Sequence, residues 1–182
     1  MQELVELLRR DCRPFLSLLS PETGFLFRGA DANGAASFKG TVRRDRRPKN
    51  MTLELHEATD AWFSQTFGIR YRGAALFCTG RRAQAEMHGV VHAIFPCEGF
   101  QFCWSPLVGD LFEWAKTEQR LQLNPTNFVA ELEKLNFQES NLAAALSSGC
   151  EVMLSCQTYH AVRLPDPETQ RQLVELLTLD NF

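Results

Sequence analysis

No run in this 182-residue chain approaches the roughly 20 consecutive apolar residues that a membrane-spanning helix needs. Its first eight residues carry Glu3 and Glu6, and Arg9 and Arg10 come after the apolar positions, the reverse of a secretory leader. No two of the six cysteines (Cys12, Cys78, Cys97, Cys103, Cys150 and Cys156) form a Cys-x-x-Cys pair, and their spacing fits no disulfide framework. Reduced core thiols, a cytoplasmic location and no membrane partner are therefore expected. Charge of one sign is also scarce: the formal net charge is −3. That argues against a general nucleic-acid coat or a binder of anionic membranes, and leaves room for a local basic patch. Internal repeats and low-complexity tracts are absent as well.

What is present, 45% hydrophobic and 23% charged residues, suits one core and one domain over residues 1–182. Leu4, Val5, Leu7 and Leu8 predict an amphipathic helix over residues 2–12, with Pro14 near its end and residues 15–19 continuing the apolar face. Residues 2–19 are expected to act as a lid or flank of the sheet. Strands are expected at 25–27, 74–78, 90–95, 100–104, 152–155 and 159–164. Helices are expected at 53–67, 82–87, 107–115, 127–135 and 140–146, and after Asp166 as N-cap. Residues 30–50 read as a long loop with a short strand at 37–42. Its stretch of Arg43, Arg44, Arg46, Arg47 and Lys49 around Asp45 is either a nucleotide clamp, a contact for an acceptor, or a solvated surface.

Three apolar runs each deliver one polar group. Residues 24–29 carry Arg28, residues 74–80 carry Thr79, and residues 149–156 carry Glu151. Guanidinium offers a fork of donors for phosphate, and Gly29 after it permits close backbone approach. A carboxylate entering an apolar strand is paired, functional or exposed at an edge. Taken singly, Arg28 also reads as a sheet-edge ion pair and Thr79 as a turn residue. Together, an arginine, a hydroxyl and a carboxylate from separate strands suit binding of a phosphate-bearing nucleotide and stabilisation of a developing cation.

The order of these motifs resembles the ADP-ribosyltransferase family, in particular small single-domain bacterial and phage members of the arginine–serine–glutamate class. The residues that carry the likeness are Phe27-Arg28-Gly29, Phe77-Cys78-Thr79-Gly80 with a helix ending at His88-Gly89, and Gly149-Cys150-Glu151-Val152-Met153-Leu154. The resemblance spans roughly residues 24–164. It implies an α+β fold with an ADP-ribosyltransferase-like split, mixed or antiparallel β-sheet core and flanking helices. It also implies cleavage of NAD, as substrate, with transfer of ADP-ribose to a macromolecular acceptor, protein or nucleic acid. On this likeness Glu151, Arg28 and Thr79 are catalytic, and Arg28, Gly29, Phe77, Thr79 and His88 bind NAD. The chain departs from the family where the serine–threonine–serine motif is reduced to Cys78-Thr79-Gly80. Gly149 also stands where arginine-modifying members carry an acidic or amide residue.

Metal binding and cysteine nucleophily have weaker support in the sequence. His88, His92, Cys97 and Cys103 do not reproduce a paired zinc motif, so no metal is expected. A cysteine nucleophile with His56, His88, His92 or His160 has no local pattern to select the pair. Alternatives to the transferase are a noncatalytic interaction protein on the same fold and an RNA-end-directed phosphotransferase.

Overall fold

The structure, a computed structural model, describes residues 1–20, 24–30 and 36–178. Apolar spacing and local caps set its helices. Helix α1 (Gln2–Asp11) buries Val5 and Leu8 and ends with Arg9 and Arg10, cations that complement its carbonyl end. The chain breaks at Cys12, and a separate short helix, α2 (Arg13–Leu16), carries Pro14 in its first turn. Proline here starts a helix, since its missing N–H has no intrahelical partner to lose in the first turn.

Helix α3 (Leu53–Phe67) is capped by the Thr52 side chain, which accepts from the Leu55 N–H, and is closed by Gly68 at φ 77°. Its buried Asp60 builds the next element, α4 (Tyr71–Ala74). Asp60 Oδ1 accepts from the Arg72 and Gly73 N–H groups at 2.9 and 3.0 Å, and Oδ2 accepts from Arg70 Nε at 2.9 Å. A Cβ on residue 73 would lie 2.5 Å from Asp60 Oδ2, so glycine is required for this approach. Later helices are α5 (Arg82–Glu86), α6 (Leu111–Lys116), α7 (Pro125–Leu132), α8 (Leu142–Ser148) and α9 (Pro167–Thr178). The helix expected from residue 107 begins only at Leu111, because Asp110 caps it by accepting from the Glu113 N–H. Asn124, Asn141 and Asp166 similarly accept backbone N–H groups at the starts of α7, α8 and α9.

The strands are β1 (Leu26–Ala30), β2 (Ser37–Thr41), β3 (Leu76–Thr79), β4 (Val90–Pro96), β5 (Gln101–Trp104), β6 (Glu151–Ser155) and β7 (Thr158–Arg163). They form one seven-stranded sheet in the order β2-β7-β4-β1-β3-β6-β5. Among the described strands every pairing is antiparallel, so the mixed alternative is set aside. The section β2-β7-β4-β1 meets the section β3-β6-β5 at a single register pair, Phe27↔Thr79. Both the β4–β5 and β6–β7 connections carry the chain from one section to the other.

Strand alternation explains why residues 152–154 are continuously apolar. Val152 and Leu154 belong to the larger core, shared with Phe25, Leu26 and Ile94, whereas Met153 belongs to a second core with Phe63 and Tyr71. Full burial of Phe63 contributes about 2–3 kcal/mol. Buried Phe15 and Leu16 seat the N-terminal helices on the larger core beside β4, and α1 packs on α9. No helix among the described residues is long and apolar enough to cross a membrane.

Candidate functional site

Strand register gathers the three polar residues singled out from the sequence. Phe27 pairs with Thr79 and Thr79 with Glu151, so β1, β3 and β6 deliver the arginine, the hydroxyl and the carboxylate side by side. Arg28 lies within β1 rather than at its end, because pairing with β4 continues to Ala30↔Val90. A cavity of about 420 Å³ is lined by Arg28, Gly29, Phe77, Thr79, His88 and Glu151, among others. An adjoining space of about 890 Å³ shares Arg28, Phe77 and Glu151 and extends under the basic loop. Both volumes fall in the range of small-molecule sites. The lining includes no residue of α1 or α2, which flank the sheet away from it.

Phe77 organises the cationic wall. Its carbonyl accepts from Arg28 Nη1 at 2.8 Å. Over its ring lie the guanidinium carbons of Arg46 and Arg72, each 4.3 Å from the centroid. Arg46 Nη1 also donates to the Ala75 carbonyl at 3.3 Å. Burial, followed by the charges of Arg28 and Arg72, lowers the proton affinity of the Arg46 guanidinium, which nevertheless stays charged. A net-acidic chain thus concentrates three guanidinium groups whose mutual repulsion an entering anion would offset.

Glu151 stands against this wall. Arg72 Nη1 donates to Glu151 Oε1 at 2.8 Å, and both side chains are only 13% exposed. Burial raises the carboxyl pKa, Arg72 opposes that rise, and Asp110 adds to it; the net direction is upward. The folded state therefore binds this proton more tightly than the unfolded chain does. The stability from Glu151 is full below the ordinary carboxylate range and is lost as pH rises through its folded pKa. The ionised form, the one able to stabilise a cation, predominates above that pKa.

Thr79 acts on the turn before Glu151. Its hydroxyl lies within hydrogen-bond reach of the Gly149 carbonyl at 3.0 Å and of Gln84 Oε1 at 3.3 Å, and it accepts from the Arg81 N–H at 3.1 Å. The contact reaches the chain two residues before Glu151, rather than the carboxylate itself. The Glu151 N–H donates to the Gly109 carbonyl at 2.7 Å, fixing the same turn from the other side. Gly29 also has a packing task. A Cβ there would lie 2.2 Å from the Ala85 carbonyl and 2.7 Å from the His88 carbonyl carbon, so glycine lets the α5 turn close on β1. This approach brings exposed His88 to the cavity edge.

Sequence reasoning singled out Arg28, Gly29, Phe77, Thr79, His88 and Glu151, and all six line one cavity. It missed Arg72 and Asp110, and it treated Arg46 only as one charge in a loop. A signal for Arg72 does exist, since Tyr71-Arg72-Gly73 repeats the aromatic–arginine–glycine order of Phe27-Arg28-Gly29. Among the described residues His88, His92, Cys97 and Cys103 form no common group; Cys97 lies instead with Cys12 and His160. Burial pushes the thiol of Cys78, which lines the cavity, up to about 12, so it is a poor nucleophile.

Comparison with known proteins yields no matching family model, no matching curated protein and no matching solved structure.

Proposed function

We propose that the cavity binds NAD and cleaves its nicotinamide–ribose bond, passing ADP-ribose to a macromolecular acceptor. The observation that carries this reading is the register Phe27↔Thr79↔Glu151, which sets a largely buried carboxylate beside a wall of guanidinium groups in a nucleotide-sized space. Arg28 and Arg46 hold the pyrophosphate, whose charge offsets their repulsion. Glu151, ionised, accepts a ribose hydroxyl and faces the anomeric carbon. Nicotinamide leaves with the bonding electron pair, and the carboxylate stabilises the oxocarbenium-like sugar, as in glycoside hydrolysis. The acceptor nucleophile then attacks that carbon and loses its proton. Thr79 is a positioning residue, acting through the Gly149 carbonyl.

Incubation of the chain with adenine-labelled NAD and a cell lysate tests the reading. Label on macromolecules means transfer, nicotinamide release alone means hydrolysis, and neither means a binding module. The Arg72–Glu151 pair favours that last reading as the second choice, because it neutralises the carboxylate in the ligand-free chain. An RNA end or other phosphate would then occupy the same guanidinium wall.

Arg72 gives the two readings different pH signatures. On the cleavage reading, nicotinamide release falls on the acid side with a midpoint above the ordinary carboxylate range, because Glu151 is buried. Arg72→Gln removes the group that opposes that rise, so the midpoint is expected to move further up. A pH–rate profile whose acid limb is identical in the two proteins would contradict this coupling.

The loop divides into two parts. Arg46 is half-buried on Phe77, whereas Arg43, Arg44 and Arg47 are exposed. Neutralising those three together should change stability by less than about 1 kcal/mol, as exposed charges contribute little. Label transfer to the acceptor is expected to fall while acceptor-independent nicotinamide release holds. Unchanged transfer would leave this part of the loop as a solvated surface.

A further inference from the structure

On the far side of the sheet from the arginine wall, three donor atoms converge. Cys12 at the α1–α2 break, Cys97 just after β4 and His160 on β7 place two sulfurs and a ring nitrogen within 4.8 Å of one another. We propose that Cys12, Cys97 and His160 bind one soft divalent cation, zinc by the chemistry of the donor set, which ties the N-terminal helices to the crossing point of the sheet.

Donor spacing suits the ion. A tetrahedral zinc with sulfur at about 2.3 Å and nitrogen at about 2.0–2.1 Å sets its donors roughly 3.5–3.8 Å apart. The observed cluster reaches that spacing by a contraction of at most about 1.3 Å, within side-chain rotation.

The histidine is already oriented. His160 Nε2 lies 2.8 Å from Asp11 Oδ2. The same carboxylate is held in place by Arg10 Nε, which donates to Asp11 Oδ1 at 2.8 Å. With Nε2 turned to Asp11, Nδ1 is the ring nitrogen left for a metal. A carboxylate behind a ligating imidazole is the common outer partner of zinc-bound histidine. Lys39 Nζ, 3.5 Å from the same Asp11 oxygen, balances the carboxylate.

Charge also closes. Binding the cation displaces two thiol protons to solvent, and two thiolates with a neutral imidazole cancel the metal's charge. A neutral complex is the form that a largely buried site tolerates best. Cys12 is fully buried, and Cys97 is half-buried, which leaves an entry path and a place for water as fourth ligand.

The location gives the site a structural purpose. The Cys97 N–H donates to the Thr158 carbonyl, and Phe95 pairs with His160 across β4 and β7. The β4–β5 and β6–β7 connections pass between sheet sections at this end, and α1 reaches it through Asp11 and Cys12. A metal here would add to the contacts that already hold these segments together, the β4–β7 pairing, the His160–Asp11 contact and the Cys12 thiol on the Phe95 carbonyl.

The test uses the full chain, purified reduced, treated with a chelator and desalted. Titration with cobalt(II) is expected to saturate at one equivalent, with a thiolate-to-cobalt charge-transfer band in the near ultraviolet, and zinc is expected to displace the cobalt. Zinc should also raise the melting temperature, because it binds only the folded arrangement. Cys97→Ser, a conservative change at a half-buried position, is expected to lose the band and at least tenfold in affinity, whereas Cys150→Ser behaves as wild type. Circular dichroism verifies that both variants are folded, and His160→Gln provides a second variant with the same expected loss. A folded, reduced wild-type chain without the charge-transfer band would overturn the proposal. So would an undiminished band in Cys97→Ser, or a zinc-independent melting temperature.

Discussion

Glu151→Gln is expected to lower nicotinamide release by about 10²- to 10³-fold, the loss typical when one electrostatic stabiliser of a transition state is removed. The substitution takes away the negative charge and little volume. A glutamine carbonyl can still accept from Arg72 Nη1, which lies 2.8 Å from Glu151 Oε1, so the wall behind it stays in place. Neighbouring Val152, Met153 and Leu154 keep β6 buried on both faces. NAD affinity is therefore expected to change far less than turnover. Steady-state nicotinamide release and calorimetric NAD titration on the same folded preparation separate the two quantities. Near-normal release by the variant would remove Glu151 from the chemistry.

Arg28→Ala is expected to weaken NAD binding roughly 10- to 100-fold, matching the loss of one hydrogen bond to a charged group at about 1.5–3 kcal/mol. Arg28 is assigned ground-state positioning, so its loss should appear in affinity as well as turnover. The strand itself should survive, since β1 keeps its register with β4 from Leu26↔Ile94 to Ala30↔Val90. The Phe77 carbonyl loses its guanidinium partner, and a melting curve reports how much that matters to the fold. Unchanged affinity in a stable variant would reduce Arg28 to a tie between β1 and β3.

The contrast between Arg28 and Arg72 shows where sequence reading works. Arg28 and Glu151 stand out because each interrupts an apolar strand, a local signal. Arg72 lies in a four-residue helix that exists because Asp60, twelve residues earlier, gathers the Arg72 and Gly73 N–H groups. Nothing in the spacing of residues 71–74 announces that helix. Sheet order is equally nonlocal: β1 lies between β4 and β3, and among the described strands a single register pair, Phe27↔Thr79, links the two sections. The strands themselves are legible from alternation and turn residues, although β1, β3 and β6 differ from expectation at their ends; Ala74, expected in a strand, instead closes α4, and β3 runs from Leu76 to Thr79. Arg46 was visible only as charge density, because its contact with Phe77 depends on how the loop folds back over β3. The pairing of Cys97 with Cys12 and His160 likewise needed the sheet, since residues 12, 97 and 160 share no motif.

The central claim is that this cavity cleaves NAD. Its most direct test is a time course of nicotinamide release from NAD by the purified wild-type chain, followed by chromatography, with Glu151→Gln in parallel. The account predicts release proportional to wild-type protein, above that in buffer, and reduced at least 10²-fold in the variant, in line with loss of an electrostatic stabiliser. Release by the folded wild-type chain at the buffer rate, or equal release by both proteins, would contradict it.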